Sequence, residues 1–507
     1  MHVEIGTTLT IADVVAVASQ GVLVSVADSA RASIAAARAQ VDGLIAGGLP
    51  VYGITTGVGQ LASVRISPAD ASHLQLNIVR SHAAGVGPPL PEEAVRAMML
   101  LRAHGLALGH SGVRPEVIEL LVACLNRGIH PVVPEQGSVG ASGDLAPLAH
   151  LALALIGEGE VQSGGRREPA AAALHRAGLT PLRLGPKEGV ALVNGTQLMT
   201  AIGALAASRA RRLCSTADVV GAMSLEALRG CSAAFHPRLH QARPHPGQQA
   251  SAANVRKAIA GSALVDSDPE RVQDAYSLRC LPQVHGAARD VLSYAAGVIE
   301  VEINAVTDNP LLFPDEDLVL SGGNFHGQPV ALALDFLGAA LTGLGTMVER
   351  RIERLVNPAL SGLPAFLSPD GGLRSGLMLA QYTAAALASE NKVLAHPASA
   401  DSIPTSANQE DHVSMGAAAA RKAAQIVANV EQIVGIELLC AAQALEFRGG
   451  RAAAAGRGTA AAYATVRERI PALEDDRVLA PDLATAASLV RDGRLLDAVV
   501  AAAGALE

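Results

Sequence analysis

The residues best suited to chemistry are Gly140-Ala141-Ser142-Gly143-Asp144, set within the run Gly137–His150. None of the twenty side chains is a good electrophile, so a chain that needs one must borrow it or make it. Ala-Ser-Gly can make it. Attack of the Gly143 amide nitrogen on the Ala141 carbonyl carbon closes a five-membered ring. Loss of two waters, one of them carrying off the Ser142 hydroxyl, leaves a methylidene-imidazolone with an exposed electrophilic carbon. Gly143 suits the attacking position because, lacking Cβ, it reaches the compressed backbone that closure demands. The glycines around it allow a strained turn. In a chain with 50 glycines among 507 residues, such a stretch also has an ordinary meaning: a turn before a helix, capped by Ser142 or Asp144.

Five further polar clusters sit in loops or at helix ends, where functional side chains concentrate. Tyr52 lies in the glycine-spaced loop Val51–Gly59. A tyrosine on a mobile loop can close over a site as acid or base, but as a base near neutrality its pKa must fall from about 10, which needs a positive surround. Otherwise it packs as a lid. His82 ends the run Asn77–Gly85, and a neutral imidazole both donates and accepts, so it can read another ring with the same two functions. Asn194, in Leu192–Thr196, reads as a turn-former or as a partner for an anion or amine. Gln273, Tyr276 and Arg279, within Val272–Cys280, share one face if that stretch is helical, and Arg279 offers a fork for a carboxylate. Last comes Thr405–His412, where Glu410 and Asp411 read as an acidic helix start or as a site.

Several classes fall away. His236 and His240 have ligand-pair spacing but no third ligand, and H-E-x-x-H is absent, so no metal is expected. The glycine loop has the wrong spacing for a dinucleotide fingerprint, and there is no G-K-[ST] phosphate loop. A formal charge of −8 with interspersed signs gives no basic stripe, which argues against nucleic acid. Five scattered cysteines look like reduced cytoplasmic thiols. The start Met1-His2-Val3-Glu4 shows no export signal. Arg421, Lys422, Glu431 and Glu437 interrupt the longest apolar helix, which argues against a membrane span.

The elements that must position these residues are helices. Half the residues are apolar, aromatics are 2% and Trp is absent, so cores come from Ala, Leu and Val, which favours closely packed helices. Short amphipathic helices fill the chain to about residue 45, one starting near Asp28-Ser29 and ending before the break Gly47-Gly48-Leu49-Pro50. Periodicity resumes near Pro68 and runs to Ser81. Long helices are expected at roughly 283–305, 328–356, 375–395 and 412–447, followed by a glycine break through Arg448-Gly449-Gly450-Arg451. The fold class is all-α. The expected division is residues 1–197, a smaller, mostly helical domain with the lid loop and the Ala-Ser-Gly electrophile, and 198–507, a long antiparallel central bundle with C-terminal helices.

Taken together, these stretches resemble the histidine ammonia-lyases within the aromatic amino acid lyase family. The likeness runs from about Tyr52 to Phe447 and rests on Gly140–Asp144, Asn194–Thr196, Gln273–Cys280, Ser321–Gly327 and Ser406–His412. It implies a fumarase/aspartase-like bundle. It also implies that Ala141, Ser142 and Gly143 mature unaided into the methylidene-imidazolone, with no external cofactor. The implied reaction is conversion of L-histidine to trans-urocanate and ammonia. Phenylalanine and tyrosine lyases lack the Ser-His at 81–82 and the Glu at 410; a phenyl ring would leave a carboxylate there unpaired. The resemblance further implies that the substrate amine adds to the methylidene carbon, that Arg279 clamps the carboxylate, and that Tyr52 or Glu410 removes the β-proton. Asn194 and Tyr276 would steady the prosthetic ring and the departing amine, Gln273 would line the pocket and Phe325 would flank the ring. It implies a cytoplasmic homotetramer with shared active sites.

This chain departs from that pattern at Thr55 and Val58, where the lid usually carries Asn and Phe, and at Arg374, where Asn is usual. Such departures bear on loop closure and turnover. The competing readings are a tyrosine or phenylalanine ammonia-lyase or 2,3-aminomutase with the same electrophile, and a catalytically silent helical scaffold.

Overall fold

Cores made of small aliphatic side chains let helices approach closely, and helices dominate the protein. The structure, a computed structural model, describes residues 2–48, 50–449 and 454–507. Met1, Leu49 of the first glycine break, and Gly450 and Arg451 of the second lie outside the described residues.

Four long helices, Gln197–Ala227, Leu281–Ile303, Gln328–Val356 and Gly416–Glu446, carry the fold, with Met378–Leu394 as a shorter companion. All but the first stand close to where the periodicity places them. Gln197–Ala227 escapes sequence reading because it is buried over most of its circumference, leaving little apolar–polar alternation to follow. Gln328–Val356 and Gly416–Glu446 are long and apolar enough to cross a membrane by length and composition, yet the most apolar stretch of each is mostly buried within the protein. The described strands are short, none exceeding four residues, and two near the start, His2–Ile5 and Leu23–Val26, pair in parallel.

The chain forms two compact units, each discontinuous in sequence. The first comprises Met1–Leu205, Ala296–Asp335 and Pro397–Arg421; the second comprises Ala206–Ala295, Phe336–His396 and Lys422–Glu507.

In the first unit, helix Glu92–Ala107 is buried from Ala94 onward and packs against Ile11–Gln20 and Pro115–Asn126. Thr10 starts Ile11–Gln20 with a reciprocal cap: its hydroxyl accepts from Asp13 N, and Asp13 accepts from Thr10 N. Three more helices, Ala71–His82, Leu145–Leu155 and Glu188–Val193, pack on one another. Each bears a candidate residue at one end: His82 closes the first, Gly143-Asp144 precede the second, and Asn194 follows the third. Gly189 permits the close approach, since a Cβ there would press on the Gln75 backbone. Buried Gln75 ties this group to the Tyr52 loop, accepting from Val190 N (3.0 Å) and donating to Gly53 O (3.3 Å).

The second unit has a buried ionic cluster at its centre. Glu437 accepts from Arg351 Nε (2.5 Å) and Ser224 Oγ (2.7 Å), joining three of the long helices. Asp218 accepts from Arg289 (2.7 Å), Ser251 (2.5 Å) and Asn254 (3.0 Å) and pairs with His285 Nδ1 (2.9 Å). His236 caps a short helix by accepting from Arg238 N, and His240 Nδ1 bonds Gln248 (3.0 Å). No cluster of three or more potential metal ligands occurs among the described residues.

One expectation is corrected here. Gln273, Tyr276 and Arg279 do not share a helix: only Tyr276–Arg279 form a helical turn, and Gln273 lies before it in chain without regular secondary structure.

Candidate active site

Ser142 and Gly143 both adopt left-handed backbone, with φ of 50° and 75°. Gly143 pairs in parallel with Gly195: Asp144 N donates to Gly195 O (2.6 Å) and Gly195 N donates to Ser142 O (3.1 Å). These bonds use the amides on either side and leave the Gly143 nitrogen out of the pairing. A Cβ on Gly143 would collide with the Gly195 carbonyl, so only glycine fits. On the other flank, Gly140 O accepts from Ser414 Oγ (2.9 Å) and Gly327 N (3.1 Å), and Met415 N donates to Val139 O (2.8 Å). Asp144 is fully buried and receives Ser138 Oγ (2.8 Å) and Met199 N (3.0 Å). Burial pushes its carboxyl up to about 6 despite those bonds.

This geometry fits the self-made ring. The tripeptide is bent at the two residues that must fold back, is clamped on both sides, and presents Ala141 and Ser142 to a cavity of about 970 Å³. Strain of this kind at a non-glycine residue persists only where surrounding bonds enforce it.

The same cavity is lined by Tyr52, His82, Asn194, Phe325 and Glu410. The fold thus gathers side chains from five separate loops and helix ends of the first unit. Glu410 faces the tripeptide directly, accepting from Ser142 Oγ (3.3 Å) through one oxygen and from Thr405 Oγ1 (2.7 Å) through the other. Burial lowers the His82 imidazole below its ordinary value, so it is neutral near pH 7; Nδ1 meets Ser81 Oγ at 3.1 Å. The Tyr52 hydroxyl accepts from Gly59 N (2.9 Å), but burial and the Glu410 charge raise its pKa. The positive surround that a tyrosine base requires is therefore not supplied by these groups.

Glu410 does not open a helix. Thr405 and Glu410 bond to one another through their backbones, and Ser406, Ala407 and Asn408 between them all have positive φ; the helix begins only at Gly416. That tight turn aims Glu410 at Ser142.

Gln273, Tyr276 and Arg279 do not line this cavity. They form their own cluster in the second unit: Arg279 donates to Gln273 Oε1 (2.5 Å) and lies 4.8 Å from the Tyr276 ring centre, with Tyr276 68% exposed. Arg374, also in the second unit, pairs with Asp475 (2.5 Å) and Asp370.

Two groups of lining and supporting residues escaped the sequence reading. His326 and His412 stack with ring centres 5.7 Å apart. His326 Nδ1 accepts from Gln328 N, so its Nε2 carries the proton and donates to His412 O (3.2 Å). Both stand in recognised motifs, but nothing in their spacing marks them as a pair. Behind Asn194 lie Arg102, Lys187 and Asp308, all buried. Lys187 Nζ bonds Asp308 Oδ2 (2.7 Å), Asp308 Oδ1 accepts from Asn194 Nδ2 (3.2 Å), and Arg102 donates to Asn194 O (2.5 Å).

The sequence and the fold are shared with known proteins. The family model described as aromatic amino acid lyase matches residues 9–468. The histidine ammonia-lyase of Symbiobacterium thermophilum is 58% identical over 506 residues, covering 100% of this chain and 99% of that one. That of Gloeobacter violaceus is 57% identical, covering 99% and 98%. Among solved structures, histidine ammonia-lyase from Trypanosoma cruzi superposes with a TM-score of 0.91 at 45% identity, covering 98% of this chain and 95% of that one. Tyrosine aminomutase from Streptomyces globisporus superposes with a TM-score of 0.94 at 41% identity, covering 100% and 99%.

Proposed function

The chain belongs to the aromatic amino acid lyase family, with its all-α fumarase-like fold, and we propose that within it this enzyme eliminates ammonia from L-histidine to give trans-urocanate. One observation carries the choice of substrate: neutral His82 and the Glu410 carboxylate line the cavity onto which Ser142 opens. An imidazole satisfies both, donating to Glu410 and exchanging a hydrogen bond with His82. A phenyl ring would strip water from Glu410 and return nothing.

When matured, the Ala141-Ser142-Gly143 ring supplies an electrophilic carbon that turns the substrate amine into a good leaving group. The other residues bind, orient and move protons. Glu410 and His82 hold the imidazole, Phe325 flanks the ring, and Asn194 accepts from the amine. Arg279 clamps the substrate carboxylate, with Gln273 and Tyr276 beside it. Because these three lie outside the cavity of the first unit, the reading places them in the site through a second copy of the chain, in a cytoplasmic homotetramer with shared active sites. The cation of Arg279 would then lower the Tyr52 hydroxyl, which burial and the Glu410 charge raise, and let it take the β-proton; Glu410 is the rival base. Residues 1–197 carry the lid and electrophile in this scheme, and 198–507 the bundle.

The test is to offer L-histidine, L-tyrosine and L-phenylalanine in turn and follow the near-ultraviolet absorbance of the unsaturated acid. Urocanate from histidine alone is expected. A β-amino acid or a cinnamate-type product from tyrosine would transfer the enzyme to the aminomutase or tyrosine lyase reading.

A further inference from the structure

We propose that Lys187 and Asp308 are positioning residues for this reaction: they hold the Asn194 amide so that its oxygen accepts an N–H of the substrate amine and then of the departing ammonia. The inference rests on the ammonia-lyase reading above.

Helix Glu188–Val193 is six residues long, and the residues just outside its two ends meet at one carboxylate. Lys187, before the first turn, bonds Asp308 Oδ2 at 2.7 Å; Asn194, after the last, donates to Asp308 Oδ1 at 3.2 Å. Asn194 Nδ2 also donates to Asn309 O at 3.3 Å. A carboxylate and a carbonyl only accept, so both require the nitrogen end of the amide, and Oδ1 is fixed on the opposite side. Arg102 holds the same residue through its main-chain oxygen (2.5 Å). The outcome is an amide locked at both its nitrogen and its backbone, in a residue that lines the cavity together with Ser142.

Its oxygen is the telling atom. Asn194 Oδ1 is buried and has no hydrogen-bond partner among the described residues. An orphan buried acceptor destabilises a fold unless something supplies a donor. A protonated or adding amine is such a donor, whereas urocanate without its ammonia is not.

The support is itself expensive to build. Lys187 is fully buried and has a left-handed backbone, φ 74°, which few side chains adopt readily. The charged groups facing Asp308 are Lys187 and Arg102; burial lowers both pKa values while the Asp308 charge holds them up. Asp308 accepts from Lys187 Nζ and Asn194 Nδ2, and its Oδ1 also accepts from Asn309 N.

Asp308→Asn keeps the shape but lets residue 308 offer an N–H, so the Asn194 amide can turn round. The expected result is kcat down about tenfold and product inhibition by ammonium weakened about tenfold, with inhibition by urocanate unchanged. The mass of the tripeptide fragment should still lack two waters, showing that maturation is intact. Lys187→Met should give the same split, and Lys187→Arg should restore most of it; these two stand in if Asp308→Asn fails to fold. Wild-type ammonium inhibition in the folded variants overturns the proposal. So does an equal weakening toward ammonium and urocanate together with lost maturation, which marks a purely structural role. If unaltered enzyme makes no urocanate from histidine, the functional reading beneath the proposal falls instead.

Discussion

The cavity beside Ser142 and the ionic cluster around Glu437 are both polar interiors, yet they treat their polar atoms in opposite ways. Around Glu437 and Asp218 the charges are matched, with Arg289 Nε left unpaired: Arg351 forks onto both oxygens of Glu437, and Asp218 collects Arg289, His285, Ser251 and Asn254. Beside Ser142, strain and unfilled valence remain. Ser142, Gly143 and three residues of the Glu410 turn have positive φ, and Asn194 Oδ1 waits for a donor. A buried network that is satisfied gives rigidity; one left open is poised for a ligand. Variants around Glu437 should therefore move stability, and variants beside Ser142 should move chemistry.

The largest effect is expected at the electrophile. Ser142→Ala should abolish turnover while leaving the melting temperature near that of the parent, because the hydroxyl makes one long bond to Glu410 (3.3 Å). Activity retained in that variant would break the contrast. Next, Glu437→Gln should lower unfolding free energy in urea by about 3–5 kcal/mol, since it leaves Arg351 buried without its counter-charge. Turnover per folded molecule should persist.

Acidification probes buried histidines elsewhere in the first unit and in the ionic cluster of the second. Burial lowers His104 to about 4 from 6.5, and His130 and His285 in the same direction. The unfolded chain then binds protons more readily than the folded one, so stability is full above pH 6.5 and falls as pH drops toward 4. His104 alone accounts for on the order of 3 kcal/mol of that loss. Asp144 acts in the opposite sense: its folded carboxyl, at about 6, takes up a proton before the unfolded one at 3.8 does, which favours the fold on acidification through that window. Burial raises Glu226 and Glu302 in the same direction as Asp144. Six histidines (His82, His104, His130, His150, His240 and His285) are lowered against these three carboxyls, so urea titrations at stepped pH should show a net decline. A smaller effect is expected of Glu410→Gln, which should reduce kcat/KM for histidine by about 2–3 kcal/mol, roughly a hundredfold, through loss of a charge-assisted hydrogen bond. Its effect on stability should be slight.

The site was more legible in the sequence than the machinery that supports it. Ala141-Ser142-Gly143 is legible as a candidate because its residue types can close a ring, and His82 and Glu410 through the family resemblance; the fold brings Ala141, Ser142, His82 and Glu410 to one cavity. Helices with one buried face also read clearly, Gln328–Val356 falling where its periodicity puts it. Gln197–Ala227 escapes because burial on most sides erases the period, and the condition for Gln273 to share a face with Tyr276 and Arg279 fails because the helix starts only at Tyr276. Lys187 and Asp308 gave no signal: a lone lysine among Gly and Pro, and an aspartate read as part of a connecting loop, stand 121 positions apart and become partners only when the chain folds them together.

The central claim is that three consecutive small residues condense into the working electrophile, and mass spectrometry addresses it most directly. A proteolytic fragment spanning Gly140–Asp144 from freshly purified, unmutated enzyme should weigh less than its sequence by two waters, and the Ser142→Ala fragment should not show that deficit. A wild-type fragment of full sequence mass, from protein that nonetheless turns over histidine, would contradict the account.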